Sequence, residues 1–369
     1  MTRDELRILD ASLNRAAEAL RVAEDVCRFA FELPVLARTL KEARHTLLAA
    51  FAPGLSQRAV LAGSRDSDGD VGRSHAVAPP NGLTVADVAV RNLERAREAL
   101  RTLEEISALS HPGAAAAAST LRYRLYSLEK GFLRLTAGAS APLRGQLEAV
   151  TLYLIADPSV TRLPFLDAVR AAIEGGASAV QLRTKGCGDR EKLDLARAVR
   201  ALTLETSTLF LLNDRIDLAL LAHADGVHLG QDDLSVAHAR RLLGDRAVIG
   251  VSTHSVEEAE RAALEGADYI GAGAFRGSTT KDVQTVIGVH GVRAIVATSP
   301  LPVFPIGGIR DEDLPELVSC GARRAAVASA ILGQASPEQV TGAARRFVEG
   351  LAGTGAGPHV ERSPQRAGA

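Results

Sequence analysis

The sequence predicts an α/β protein, in which a C-terminal (β/α)8 barrel follows an all-α helical domain with an internal duplication. Three observations predict it. A helical stripe occurs twice in the first 136 residues, the pattern changes near Leu152 from long amphipathic stretches to short apolar runs, and eight such runs are spaced by helix-length segments.

The helical part rests on Leu13, Ala16, Leu20 and Ala23, which recur at three- and four-residue steps with Arg and Glu between them. Residues 13–29 (LNRAAEALRVAEDVCRF) match residues 93–109 (LERAREALRTLEEISAL) at 8 of 17 positions without gaps, at an offset of 80. A second helical stretch follows each copy, from Thr39 and from Thr120, so two helical hairpins packed into one bundle are expected. Between them, residues 62–82 hold AGSRDSDGDVG and APPNG, whose glycines and prolines cannot sustain a helix. The expected boundaries are a helical domain over 1–136, a small-residue linker over 137–146, the barrel over 147–351 and a disordered tail over 352–369.

The barrel rests on eight runs: LYLIAD from Leu152, AVQLRT from Ala179, LFLLND from Leu209, GVHLG from Gly226, VIGVST from Val248, YIGAGAF from Tyr269, VFPIGG from Val303 and RAAVASA from Arg324. Right-handed crossovers through eight such units close most simply into a barrel, with the active site at the C-terminal ends of the strands.

Composition narrows the partners. A formal net charge of -1, no Trp and 4% aromatic residues give neither a phosphate-backbone footprint nor base-stacking platforms, so small-molecule substrates are expected rather than nucleic acid. No run approaches the roughly 20 apolar residues needed to cross a bilayer, and MTRDELRILD carries no apolar signal core, so no membrane partner and a cytoplasmic location are expected. Cys27, Cys187 and Cys320 lack metal-type spacing and read as inert thiols.

Polar clusters stand at the strand ends. Asp214 ends the third run and Asp233 follows the fourth; two hard carboxylates converging on an open rim suit Mg2+ bridged to a diphosphate, whereas their ordinary alternative is to cap the following helices. Arg183 and Lys185 after the second run, and Lys281 after the sixth, supply the cations that a departing diphosphate needs. Gly307 and Gly308 at the end of the seventh run and Ala328–Ser329 near the end of the eighth suggest a second phosphate site, since the loops there are the recurrent phosphate cradle of barrel enzymes, with hydroxyl donors from Ser278, Thr279 and Thr280.

In order, QLRTK, LLNDRIDLAL, GVHLGQDDL, IGVSTHSVEEA, STTKD, IGGI and VASAI resemble the thiamine phosphate synthases over nearly the whole barrel. The resemblance implies joining 4-amino-5-hydroxymethyl-2-methylpyrimidine diphosphate to 4-methyl-5-(2-hydroxyethyl)thiazole phosphate with Mg2+ present. By motif, Gln181, Leu182, Arg183, Thr184 and Lys185, with Asn213, Ser252 and Lys281, would hold the pyrimidine diphosphate. Asp214 and Asp233 would bind Mg2+, while Ser278, Thr279, Thr280, Gly308, Ala328 and Ser329 would contact the thiazole phosphate. The resemblance also implies a dissociative step, in which diphosphate leaves a pyrimidine-stabilised methylene cation that the thiazole nitrogen captures.

The helical half, through RILDASLNRAAEALRVAEDVCRF, the SRDSDGDVG loop and the second repeat, resembles a domain fused to such synthases and associated with phosphorylating the pyrimidine monophosphate. Asp66, Asp68 and Asp70 beside Arg65 are its candidate metal-nucleotide residues, against the plainer reading of a solvated acidic loop. Arg21 with Glu24 and Arg101 with Glu104 read as helix-surface ion pairs at i,i+3. Two alternatives stay open: a helical half that serves only as a structural or homo-oligomer-forming module, and a thiazole tautomerase in which His254 is the acid/base.

Overall fold

Thr2 opens the first helix: its hydroxyl accepts the Glu5 N–H at 3.2 Å while the Glu5 carboxylate accepts the Thr2 N–H at 2.9 Å, a reciprocal cap. The computed structural model describes residues 2–51, 82–136, 141–277 and 286–352. Helix α1 (Arg3–Phe29) pairs with α2 (Pro34–Ala50), and α3 (Val85–Ala108), capped in the same way by Thr84 and Asp87, pairs with α4 (Pro112–Thr136). The duplicated stripe is the packing face, because Ala16, Leu20 and Ala23 of α1 and their repeats Ala96, Leu100 and Leu103 of α3 are all buried in one cluster.

The repeated glutamates point inward, which corrects part of the ion-pair expectation. Glu24 is 5% exposed and accepts from Arg44 of α2 at 3.2 Å, while Arg21 turns instead to Asp25 at 3.1 Å. In the second copy Glu104 takes Arg122 of α4 at 2.9 Å and keeps the expected Arg101 contact at 3.4 Å. Each hairpin is therefore tied across its two helices by the repeated glutamate.

Helix α5 (Ala141–Glu148) occupies most of the stretch expected as linker. Its small residues mask an i,i+4 pair, Leu143 and Leu147, which is buried with Val150 against the barrel interior. Burial of each leucine stabilises by roughly 1.5–3 kcal/mol. Two ion pairs tie the helix down, Arg144 Nε to Asp268 Oδ1 at 2.8 Å and Arg324 Nη2 to Glu148 Oε2 at 3.0 Å.

The eight apolar runs are eight parallel strands: β1 (Leu152–Ala156), β2 (Ala179–Leu182), β3 (Leu209–Asn213), β4 (Gly226–Leu229), β5 (Val248–Thr253), β6 (Tyr269–Ala272), β7 (Val303–Pro305) and β8 (Ala325–Val327). Neighbours in sequence pair in order, β1 also pairs with β8, and an Ile306–Ala326 bridge joins β7 to β8 and closes the barrel. Helices alternate with the strands: α6 (Phe165–Glu174), α7 (Asp189–Leu204), α8 (Ile216–Leu221), α9 (Val236–Leu243), α10 (Val256–Leu264), α11 (Gly288–Thr298) and α12 (Leu314–Ser319). After β8 come a short α13 (Ser329–Leu332) and α14 (Pro337–Ala352).

The chain divides into two compact units, 1–142 with 193–207 and 143–192 with 208–369. Among the described residues no helix is long and apolar enough to cross a membrane. The acidic loop of Asp66, Asp68 and Asp70 and the tail expected to be disordered lie outside the described residues.

Candidate active site at the barrel mouth

Strand alternation decides which residues reach the mouth. In β2, Ala179 belongs to the interior cluster, so Gln181 and then Arg183 follow on the inward face, while Leu182, 1% exposed, turns to the helix layer. Only the backbone of Leu182 is available to a ligand. Thr184 is half-buried and Lys185 exposed.

Arg183 is held by a residue that the sequence reading missed. Asp157, directly after β1 and 3% exposed, forms an ion pair with the Arg183 guanidinium. Its other oxygen accepts the Ser159 N–H at 2.9 Å and the Ser159 hydroxyl at 2.6 Å, so the carboxylate is fixed before it meets the arginine. A buried Asp closing an apolar strand next to the arginine's strand was the available signal.

Asp214 continues the β3 ladder through its N–H to the His228 carbonyl at 2.9 Å, and its backbone is left-handed, φ 63°. Such a conformation is uncommon for a residue other than glycine and gathers at functional sites. The capping alternative is not what is seen for either aspartate. The cap position of α8 is Arg215, with no side-chain cap bond, and α9 is capped by the Ser235 hydroxyl. Asp214 and Asp233 are both exposed, and Asp233 Oδ2 accepts the Gly230 N–H at 2.6 Å, which folds its loop back over the end of β4. Among the described residues no group of three metal-ligating side chains forms, so any cation here would rest on these two carboxylates with other oxygens completing its shell.

Asn213 ends β3 and Ser252 lies near the end of β5. Ser252 Oγ is 3.0 Å from His228 Nε2, and its carbonyl accepts from Gln231 Nε2 at 2.6 Å. Beneath them the interior is polar: Gln181 Nε2 donates to Tyr153 Oη at 2.8 Å, the two tyrosine hydroxyls of Tyr153 and Tyr269 are 2.8 Å apart, and Tyr269 Oη is 3.0 Å from His228 Nδ1. Burial pushes both phenols well above the ordinary tyrosine value, so both stay protonated.

On the other arc, Gly307 and Gly308 follow β7 with φ 99° and 66°, conformations that favour glycine. A Cβ on Gly307 would stand 2.8 Å from the Ala274 Cβ, and one on Gly308 would stand 2.8 Å from the Gly277 carbonyl oxygen. Arg276, also absent from the sequence reading, forms an ion pair with the buried Asp313, which accepts the Arg310 N–H at 2.9 Å. The loops after β6 and β7 are thereby fastened together. Ala328 precedes and Ser329 begins α13, the short extra helix found at barrel phosphate sites. Ser278, Thr279, Thr280 and Lys281 lie outside the described residues. His254 is bound by Glu258 through its N–H at 2.7 Å and Nδ1 at 3.0 Å, an engagement with the first turn of α10.

A closed parallel barrel with glycine backbone after β7 and a short helix after β8 belongs to the (β/α)8 class, in which the C-terminal strand ends form the mouth. Comparison with known proteins narrows the class. Residues 152–331 match the family model described as thiamine monophosphate synthase, and residues 7–131 match the ThiD2 family. The chain is 42% identical over 344 residues to the thiamine-phosphate synthase of Synechocystis sp., covering 91% of this chain and 94% of that protein. It is 40% identical over 338 residues to the thiamine-phosphate synthase of Thermosynechococcus vestitus, covering 91% and 92%. Among solved structures, the thiamine phosphate pyrophosphorylase from Pyrococcus furiosus is similar with 37% identity and a TM-score of 0.51, covering 57% of this chain and 100% of that one. The chain belongs to the thiamine-phosphate synthase family and is a transferase.

Proposed function

We propose that the barrel joins 4-amino-5-hydroxymethyl-2-methylpyrimidine diphosphate to 4-methyl-5-(2-hydroxyethyl)thiazole phosphate, forming thiamine phosphate and diphosphate. The observation that carries this reading is the division of the mouth into two arcs. Gln181, Arg183, Lys185, Asn213, Asp214, Asp233 and Ser252 stand on β2 to β5 and their loops, whereas Gly307, Gly308, Ala328 and Ser329 stand after β7 and β8. The first arc carries cations and carboxylates for a metal-bridged diphosphate, and the second offers backbone N–H groups to a monophosphate.

In this reading the stretch Gln181–Lys185 with Asn213 and Ser252 binds the pyrimidine diphosphate, and Asp157 aims the Arg183 guanidinium at it. Lys281 and the hydroxyls of Ser278, Thr279 and Thr280 join the two sites on the strength of sequence likeness. Asp214 and Asp233 would hold Mg2+, since two exposed hard carboxylates fit that ion, and the ion would neutralise charge on the departing diphosphate. The bond between the pyrimidine methylene carbon and the diphosphate oxygen breaks, and its electron pair leaves with the diphosphate. The thiazole nitrogen lone pair then forms the new bond to carbon. No proton moves at either reacting atom, so no general base is needed, and a His254 engaged by Glu258 accords with that. Purified protein given both preformed substrates and Mg2+ should release thiamine phosphate; none formed by folded protein would reject the reading.

For the helical unit we propose phosphorylation of the pyrimidine monophosphate, which would supply the diphosphate that the barrel consumes. The match of residues 7–131 to the ThiD2 family supports it. Full-length protein given the monophosphate, thiazole phosphate, ATP and Mg2+ should then make thiamine phosphate. Coupling only from preformed diphosphate would leave this unit a structural role.

A further inference from the structure

An eight-stranded barrel interior is ordinarily filled by branched apolar side chains, yet here one file of polar groups crosses it. The file runs Gln181, Tyr153, Tyr269, His228, Ser252, with successive separations of 2.8, 2.8, 3.0 and 3.0 Å. The backbone makes room for it. A Cβ on Gly250 would stand 2.0 Å from the Tyr269 Cζ, and one on Gly271 would stand 3.2 Å from the His228 Cε1. Tyr153 and Tyr269 are 2% and 1% exposed, so an unmade hydrogen bond at either would be costly.

With Gln181 as the amide donor, one direction of bonding pairs every buried proton of the file. In that direction Gln181 donates its amide hydrogen to Tyr153 Oη and Tyr153 passes its own proton to Tyr269 Oη. The same direction sends the Tyr269 proton to His228 Nδ1, which then carries a lone pair. It places the ring hydrogen on Nε2, donated to Ser252 Oγ, and leaves the serine's own proton directed away from the histidine. Ser252 lies near the C-terminal end of β5, at the mouth.

We propose that His228 is a positioning residue, held as the neutral Nε2–H tautomer by this file, and that it fixes Ser252 as a hydrogen-bond donor to the diphosphate. The inference rests on the assignment of the β2 to β5 arc to the diphosphate. It adds a residue that acts through another, His228 Nε2 standing 3.0 Å from Ser252 Oγ.

The test uses the full-length protein labelled with 15N in its histidine rings, the His228 signals being assigned by their loss in His228→Gln. The expected wild-type spectrum shows a bare Nδ1 and a protonated Nε2; the opposite tautomer overturns the proposal. Tyr269→Phe, which removes the donor to Nδ1, should lower kcat for coupling about tenfold, the worth of one hydrogen bond, and leave KM for thiazole phosphate unchanged. Introduced into Ser252→Ala, the same change should cost less than about twofold, because its route to the ligand is already gone. Multiplication of the two losses, or no loss from Tyr269→Phe, overturns the proposal. Should Tyr269→Phe melt early, the wild-type tautomer decides alone. Asp233→Asn separates the levels: near-normal turnover there rejects the diphosphate assignment itself, whereas a loss there with an unimpaired Ser252→Ala rejects only the role of His228.

Discussion

The two ends of the barrel use aspartate in opposite ways. At the floor, Asp225 accepts the Phe210 N–H at 2.9 Å and Asp268 accepts the Ile249 N–H at 2.8 Å, each carboxylate closing a gap between strand starts. Asp268 also binds Arg240 and Arg144, both at 2.8 Å, and it is nearly buried. At the mouth, Asp214 and Asp233 are exposed, Asp214 stands on left-handed backbone, and neither occupies the cap position of the helix that follows. A floor carboxylate surrounded by its own donors serves stability. The mouth carboxylates are exposed to solvent, and in the proposed function that exposure is what lets them meet an incoming metal-bound diphosphate.

This contrast predicts that floor and mouth substitutions separate into stability losses and rate losses. The largest stability effect is expected from Asp268→Asn, which breaks a nearly buried pair and leaves Arg240 without its charge partner. It should cost about 2–3 kcal/mol and lower the melting temperature by on the order of 5–10 °C, with turnover per folded molecule unchanged. Reduced turnover at an unchanged melting temperature would break the division of labour. A smaller effect is expected at the mouth from Arg183→Lys, which keeps a charge beside Asp157 but loses the planar fork. Coupling should slow about tenfold, near 1.4 kcal/mol, with little change in the melt. Turnover within a factor of two would mean that the guanidinium geometry is irrelevant.

The smallest effect belongs to Cys27 in the helical unit, whose thiol burial pushes up to about 12. Thiol titration of native protein near neutral pH should label the half-exposed Cys187 and spare Cys27 and Cys320. Because the folded Cys27 holds its proton to higher pH than the unfolded thiol does, its contribution to stability is constant at neutral pH and falls only as pH rises toward 12. Labelling of Cys27 without unfolding would show that the bundle core opens.

Much of this was legible in the sequence, and the parts that were not share a cause. All eight strands begin within the predicted apolar runs, since short apolar segments between amphipathic ones have few other uses in a chain of this length. The duplicated stripe announced the bundle core for the same reason, because Leu20 and Leu100 must face something apolar. The stretch 137–146 reads as linker because its three Ala and two Gly outnumber Leu143, the one leucine inside it, while Leu147 lies just beyond. The pairing of Glu24 with Arg44 and of Arg183 with Asp157 joins residues 20 and 26 apart in the chain, beyond any local spacing rule. The polar file was hidden more deeply, with Tyr153 and Tyr269 separated by 116 residues. Its signal was a histidine on the inward face of GVHLG, which alternation exposes only once a closed barrel is assumed.

Whether Asp214 and Asp233 hold a metal against the departing diphosphate, as proposed, is decided by turnover measured against Mg2+ concentration for Asp214→Asn and Asp233→Asn. Asn keeps the side-chain volume and adopts left-handed backbone readily, so the fold and the thermal melt should be preserved at both positions. Each variant should lose at least about a hundredfold in coupling rate, close to 3 kcal/mol of transition-state stabilisation, with a shifted Mg2+ dependence and unaltered thiazole phosphate binding. Near-normal turnover with the wild-type Mg2+ dependence in either variant would contradict it.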